Sequence, residues 1–251
     1  MNFLITNDDG FDAPGLAALY CALKPLGDVT VVAPSVCHSA KGHAVNTKSL
    51  LEVEHRVVAP FGPTHIVNSS PADCVRIGLR GLLAEPPDFV VAGINTGANL
   101  GVDLFYSGTA AAAREAAILG VPAIALSRYL QLGNDVNWEN LSRHVTRVVE
   151  QLVKAPHLLP PGEFWNVNFP AVPGDEHSQD IKFAAMNLLS HDVRFEEVER
   201  DGDVTRYRYS GEFRERGKDG VCDVSWVFRG HITATPIHLC NTARRSMFTD
   251  D

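Results

Sequence analysis

The chain lacks the features that would tie it to several large classes. Its five cysteines (Cys21, Cys37, Cys74, Cys222 and Cys240) include no CxxC pair, and their number is odd. Free thiols in a reducing compartment fit this better than a disulfide framework. No apolar run approaches the ~18 residues that a membrane-spanning helix needs. The stretch from Phe3 to Thr6, ahead of Asp8 and Asp9, is too short for a signal-peptide core. A soluble, cytoplasmic chain with no membrane partner is the expectation. Basic excess is also missing: 22 Lys and Arg stand against 30 Asp and Glu, a formal charge of −8. A nucleic-acid duplex is therefore not an expected partner, since such binders carry a basic patch.

Several catalytic signatures are absent as well. There is no Walker loop, and Gly93, Gly97 and Gly101 lack dinucleotide-binding spacing. There is no nucleophile elbow, no Cys-His signature and no DxDxT motif. A covalent intermediate thus has no support, and an activated water is the simpler nucleophile. The ten histidines form no metal-binding pair at helical spacing, and His38 and His43 read as loop surface. Internal repeats and low-complexity tracts are missing too.

What is present describes a packed α/β chain. The 251 residues suffice for one large domain or a core with an appendage, and an apolar content of 45% argues against disorder. Short apolar runs at 2–6, 29–33, 89–94, 123–126 and 164–168 read as strands buried on both faces. Between them lie helical patterns. Pro14 opens one with Leu16, Leu19, Tyr20 and Leu23 on a single face. Ser70-Pro71-Ala72-Asp73 starts a second. Thr109 begins an alanine-rich helix ending near Gly120, and residues 138–153 form a fourth. This alternation predicts a doubly wound sheet with right-handed crossovers over residues 1–172.

From 173 to 251 the pattern changes to a β-rich C-terminal extension. Val204, Tyr207 and Tyr209 alternate with polar residues, and 231–237 resembles another strand. With no crossover helices there, these strands are not expected to join a parallel sheet. Phe213, Trp226, Val227 and Phe228 add an apolar load that calls for burial, against a second copy or, alternatively, by folding back onto the chain's own core.

Open α/β sheets bind ligands at the carboxyl ends of their strands. Three segments should emerge at that edge: Asn7-Asp8-Asp9-Gly10, the loop carrying Ser35, His38, Ser39, Lys41 and His43, and Gly93-Ile94-Asn95-Thr96-Gly97. Adjacent carboxylates resist joint ionisation, and a hard divalent cation relieves this. Oxygen ligands favour magnesium or manganese over zinc. The alternative is a turn in which Asp8 caps and Asp9 is solvated. Tyr106-Ser107-Gly108-Thr109, at a helix start, reads either as an anion cradle or as a plain cap.

These residues carry a resemblance. Asn7-Asp8-Asp9-Gly10 with Ala13-Pro14-Gly15, then Pro71-Ala72-Asp73-Cys74-Val75, resemble the SurE survival-protein family of 5′/3′-nucleotidases. The most specific stretch runs from Pro87 to Pro122: Pro-Asp-Phe-Val-Val-Ala-Gly-Ile-Asn, Gly-Ala-Asn-Leu-Gly-Val-Asp, Tyr-Ser-Gly-Thr-Ala and Leu-Gly-Val-Pro, in order. The likeness is weaker at Asp223 and from Gly230 to Ile237. It implies a Rossmann-like three-layer α/β/α sandwich with a β-rich C-terminal extension. It further implies hydrolysis of nucleoside monophosphates by a metal-activated water, with one divalent ion (Mg2+ or Mn2+) on Asp8, Asp9, Ser39 and Asn95. Asp8 and Asp9 would be catalytic, with Asn95, Ser107, Gly108 and Thr109 beside the phosphate. A homodimer or homotetramer through the extension is implied too. Two stretches depart from the family pattern: Cys37-His38-Ser39-Ala40-Lys41-Gly42-His43, and Glu199-Arg200-Asp201-Gly202-Asp203 in place of an Arg-x-Asp-Pro-Arg-Gly-Arg segment. A nucleotide-binding sensor, or a phosphatase for another phosphoester such as short polyphosphate, are the alternative functions.

Overall fold

A computed structural model describes residues 1–131, 135–154, 159–172, 176–178, 180, 181–189, 192–213 and 220–239. Cys240 and the rest of the tail lie outside them. The strands are β1 (Asn2–Thr6), β2 (Asp28–Pro34), β3 (Val53–Val58), β4 (Gly62–Val67), β5 (Phe89–Thr96) and β6 (Ala123–Arg128). They continue with β7 (Glu163–Phe169), β8 (Ile181–Phe183), β9 (Phe195–Asp201), β10 (Val204–Tyr209) and β11 (Ile232–His238). The α-helices are α1 (Pro14–Leu23), α2 (Pro71–Ile77), α3 (Gly108–Ile118), α4 (Trp138–Val153) and α5 (Asp223–Phe228).

Nine strands form one sheet in the order β3-β4-β2-β1-β5-β6-β7-β11-β8. The six central strands, from β4 to β7, are mutually parallel. Their continuous apolar runs are buried on both faces, as parallel sheets require. On one face α1 and α4 pack side by side, with α4 laying down Leu141, Val145, Val148, Val149 and Leu152 at helical spacing. On the other face α2 and α3 do the same, and Ala110, Ala112, Ala113, Ala116 and Ala117 let α3 lie close to the strands. The expected three-layer sandwich is what the chain adopts.

Local chemistry accounts for where the helices start. Pro14 sits at the first position of α1, where no N–H is required. The next residue must be glycine: a Cβ on Gly15 would lie 2.1 Å from the carbonyl oxygen of Ile94, so α1 rests directly on β5. Ser70 caps α2 by accepting from the Asp73 N–H at 3.2 Å. The alanine-rich helix begins at Gly108 rather than Thr109, because the cap is Ser107, whose hydroxyl accepts from Ala110 N–H at 2.9 Å.

The C-terminal segment corrects one expectation. Strand β11 does enter the main sheet, antiparallel to β7 with Ala234 opposite Val167, and β8 adds beyond it. An antiparallel neighbour needs no crossover helix, so the absence of one did not bar it. Nor does the apolar load stand free. Trp226, Val227 and Phe228 belong to α5, not a strand, and Val227 is buried. Phe213 and Phe228 both pack on Tyr129, at centroid separations of 5.8 and 5.2 Å. Only the β9–β10 hairpin forms a separate sheet among the described residues.

Candidate active site

Strand β1 is flanked by β2 on one side and β5 on the other. The chain changes its direction of travel across the sheet there, and the loops leaving adjacent strands diverge to open a crevice. Asp8 and Asp9 stand at the end of β1 in this crevice, Asn95 on the last turn of β5, and Ser39 on the loop after β2. The segments expected at one edge do meet there. His38 N–H donates to the Asp8 carbonyl at 2.7 Å, and Thr96 N–H donates to Asp9 Oδ2 at 3.3 Å. Asn95 Nδ2 donates to the carbonyl of Gly97 at 2.7 Å, which fixes the orientation of its amide. Ser39 Oγ lies 3.0 Å from Cys37 Sγ.

Asp8 is the most constrained member. Its side chain is 3% exposed, and Thr109 Oγ1 donates to its Oδ1 at 2.5 Å. The Thr109 backbone also favours the ionised form. Burial outweighs these contacts, with repulsion from Asp9 adding to it, and the carboxyl is pushed up from 3.8 to about 6. A buried carboxylate beside a second one, with Ser39 and Asn95 each next in sequence to a residue whose N–H bonds to that pair, is a donor set whose oxygen chemistry fits a hard divalent cation. Among the described residues no group of three or more His, Cys, Asp or Glu gathers that could hold a metal ion, so any ion here would also need neutral oxygen ligands.

At the start of α3 the plain-cap reading holds for Ser107, whereas the Thr109 hydroxyl does something neither reading expected. The Ser107 N–H donates to Asp103 and its hydroxyl caps the helix. The Thr109 side chain is fully buried and committed to Asp8. The anion at this helix end is Asp8 itself, where the dipole favours negative charge. Gly108 lies so close to Asp8 that no side chain fits between them.

The divergent loop is pinned from several sides that the sequence did not disclose. His43, read as loop surface, is paired at 2.7 Å with Glu115, a residue only 5% exposed in α3. Asp73 Oδ2 accepts from Asn46 N–H at 2.9 Å and from Ser69 Oγ at 2.6 Å. Ser70 Oγ donates to the Ala44 carbonyl, and Gly42 N–H donates to Tyr106. A lone acid in an alanine-rich helix was the available signal for Glu115. Asp223 is fully buried and accepts from Gly101 N–H at 2.7 Å and Asn187 N–H at 2.9 Å. It clamps the C-terminal segment to the loop before α3.

The chain is similar to known proteins over nearly its whole length. The family described as "Survival protein SurE" matches residues 3–193. A 5′-nucleotidase SurE of Maridesulfovibrio salexigens is 39% identical, covering 99% of this chain and 97% of the relative. One from Syntrophobacter fumaroxidans is 38% identical, covering 95% and 93%. The crystal structure of SurE protein from Aquifex aeolicus superposes with a TM-score of 0.82 at 33% identity, over 96% of this chain and 95% of that one.

Proposed function

The chain belongs to the SurE survival-protein family, and from that premise we propose that it is a 5′-nucleotidase working through a divalent cation at Asp8 and Asp9. It is a phosphoric monoester hydrolase that converts nucleoside monophosphates to nucleoside and phosphate. The observation that carries the site is the Asp8 carboxylate, buried against a helix start and beside a second acid, where the hydrogen bonds it accepts do not offset its burial.

Asp8, Asp9, Ser39 and Asn95 would hold one ion, magnesium or manganese given their oxygen donors. When bound, such an ion supplies charge neutralisation at the phosphate and lowers the pKa of a coordinated water. The chain's own contribution is positioning. Thr109 fixes the rotamer of Asp8, and the Thr96 amide holds Asp9. The start of α3, from Ser107 to Thr109, would lie beside the phosphate, where fixed donors need no reorganisation during reaction. A carboxylate oxygen of Asp8 or Asp9 would accept the proton of the attacking water.

The segment 1–172 carries this chemistry, and the β9–β10 hairpin serves assembly into a homodimer or homotetramer. All seven β9 residues are exposed, and Phe195, Tyr207 and Tyr209 show ring surface to solvent. A cytoplasmic location agrees with the free thiols of Cys21, Cys37, Cys74 and Cys222. No helix among the described residues is long and apolar enough to cross a membrane.

The test is a panel of ribonucleoside monophosphates varied in base and in 5′ or 3′ phosphate position, with short polyphosphate beside them. Release of inorganic phosphate from the 5′-nucleotides is expected. Binding of nucleotides without release would make the protein a sensor, and preference for polyphosphate would redirect the assignment.

A further inference from the structure

Past the sheet edge, the continuations of β5 and β6 diverge around a cleft of about 670 Å³. Gly97 and Ala98 form one wall, two residues beyond Asn95, and Tyr129, Leu130 and Gln131 form the other; Glu212 and Phe213 close it from the end of the hairpin. The cleft is tied rigidly to the catalytic crevice. Asn95 Nδ2 holds the Gly97 carbonyl at 2.7 Å, and Gly97 N–H reaches Arg128 O at 3.0 Å.

Its walls are flat and apolar. Tyr129 and Phe213 are stacked with their planes 21° apart, and Phe228 backs Tyr129 at 5.2 Å. Leu130 and Phe213 keep 38% of their surface exposed, so a planar group could lie against them. The rim is polar. Gln131 offers an amide with both donors and acceptors, and Glu212 a carboxylate on a backbone fixed by Asp192 at 3.1 Å.

Apolar faces with a polar edge describe a nucleobase. We propose that this cleft is the base subsite of the nucleotidase site, with guanine as the favoured base. The inference rests on the nucleotidase reading above. An ionised carboxylate accepts only, so it pairs best with an edge that presents two adjacent donors. Guanine does so with N1–H and its 2-amino group, whereas hypoxanthine and uracil offer one ring N–H. Stacking on the aromatic wall would serve any base.

Two measurements test this. In steady-state kinetics of the full chain, the ratio of kcat/KM for guanosine 5′-monophosphate to that for base-free ribose 5-phosphate should fall at least tenfold in Phe213→Ala. Glu212→Gln, a surface change that does not threaten folding, should lower the guanosine-to-inosine monophosphate ratio severalfold. An unchanged ratio in both variants would overturn the proposal. Calorimetry of guanosine, which has no phosphate, separates this from the nucleotidase reading. Guanosine binding that is lost in Phe213→Ala supports the cleft even if no nucleotide is hydrolysed. Phosphate release with guanosine binding equal in parent and variant refutes the cleft while leaving the activity in place.

Discussion

Gly108 approaches Asp8 so closely that a Cβ on the glycine would lie 2.8 Å from the Asp8 Cβ and 3.0 Å from its Oδ2. The helix start and the buried acid are therefore fitted to each other, and the fit leaves no room for any other residue. In an open helix, alanine for glycine would add up to about 1 kcal/mol of stability. Here Gly108→Ala should displace Asp8 instead and reduce turnover at least tenfold, with little change in far-UV circular dichroism. A stabilised variant with normal kinetics would show that the contact is slack.

Asp8 carries a cost that its removal should reveal. A carboxyl raised to about 6 by burial holds its proton in the folded chain while the unfolded chain releases it near 3.8. The metal-free fold thus loses stability as pH rises from about 4 to about 6 and stays lower above that, by roughly 3 kcal/mol at most. Asp8→Asn should be more stable than the parent above pH 6 in chelator, equal to it near pH 3.5, and inactive. Urea titrations at the two pH values check this. A variant less stable at pH 7 would contradict the burial argument.

Thr109 is predicted to act through Asp8 and not as a cap. Removing its hydroxyl with the near-isosteric Thr109→Val takes away a contact that lowers the Asp8 pKa. The acidic limb of the pH–rate profile should move to higher pH, while Thr109→Ser should leave it in place. A lowered melting temperature with an unmoved profile would return the residue to a packing role.

How much of this was legible depended on how local the signal was. The helix at 138–153 coincides with its apolar periodicity, and β1 with its apolar run. The segments that meet at the sheet edge were legible because ligand sites of open α/β sheets lie at strand ends. The partnership of Thr109 with Asp8 spans 101 positions, and that of Gly101 with Asp223 spans 122. No spacing rule reaches so far. The strand at 231–237 was legible, but the same limit hid its place beside β7, since no pattern within residues 232–238 names a partner. Ser107 and Thr109 both suit a helix start, and only the backbone shows which one caps.

The hairpin makes a prediction about assembly. If Phe195, Val198, Tyr207 and Tyr209 are covered by a second copy, light scattering at micromolar concentration should give at least a dimer. Val198→Lys combined with Tyr207→Glu should bring the mass to that of one chain without unfolding the core. A parent that already has the mass of one chain would refute the assembly.

The central claim is that Asp8 and Asp9 hold the ion on which hydrolysis depends. Phosphate release from a nucleoside 5′-monophosphate should therefore be followed in protein stripped of metal and verified by elemental analysis, then after adding magnesium or manganese. The account predicts no release until metal is added, and a loss of more than tenfold, about 1.4 kcal/mol in the barrier, in Asp8→Asn and Asp9→Asn. Full activity in the stripped protein, or more than about a tenth of it in either variant, would contradict it.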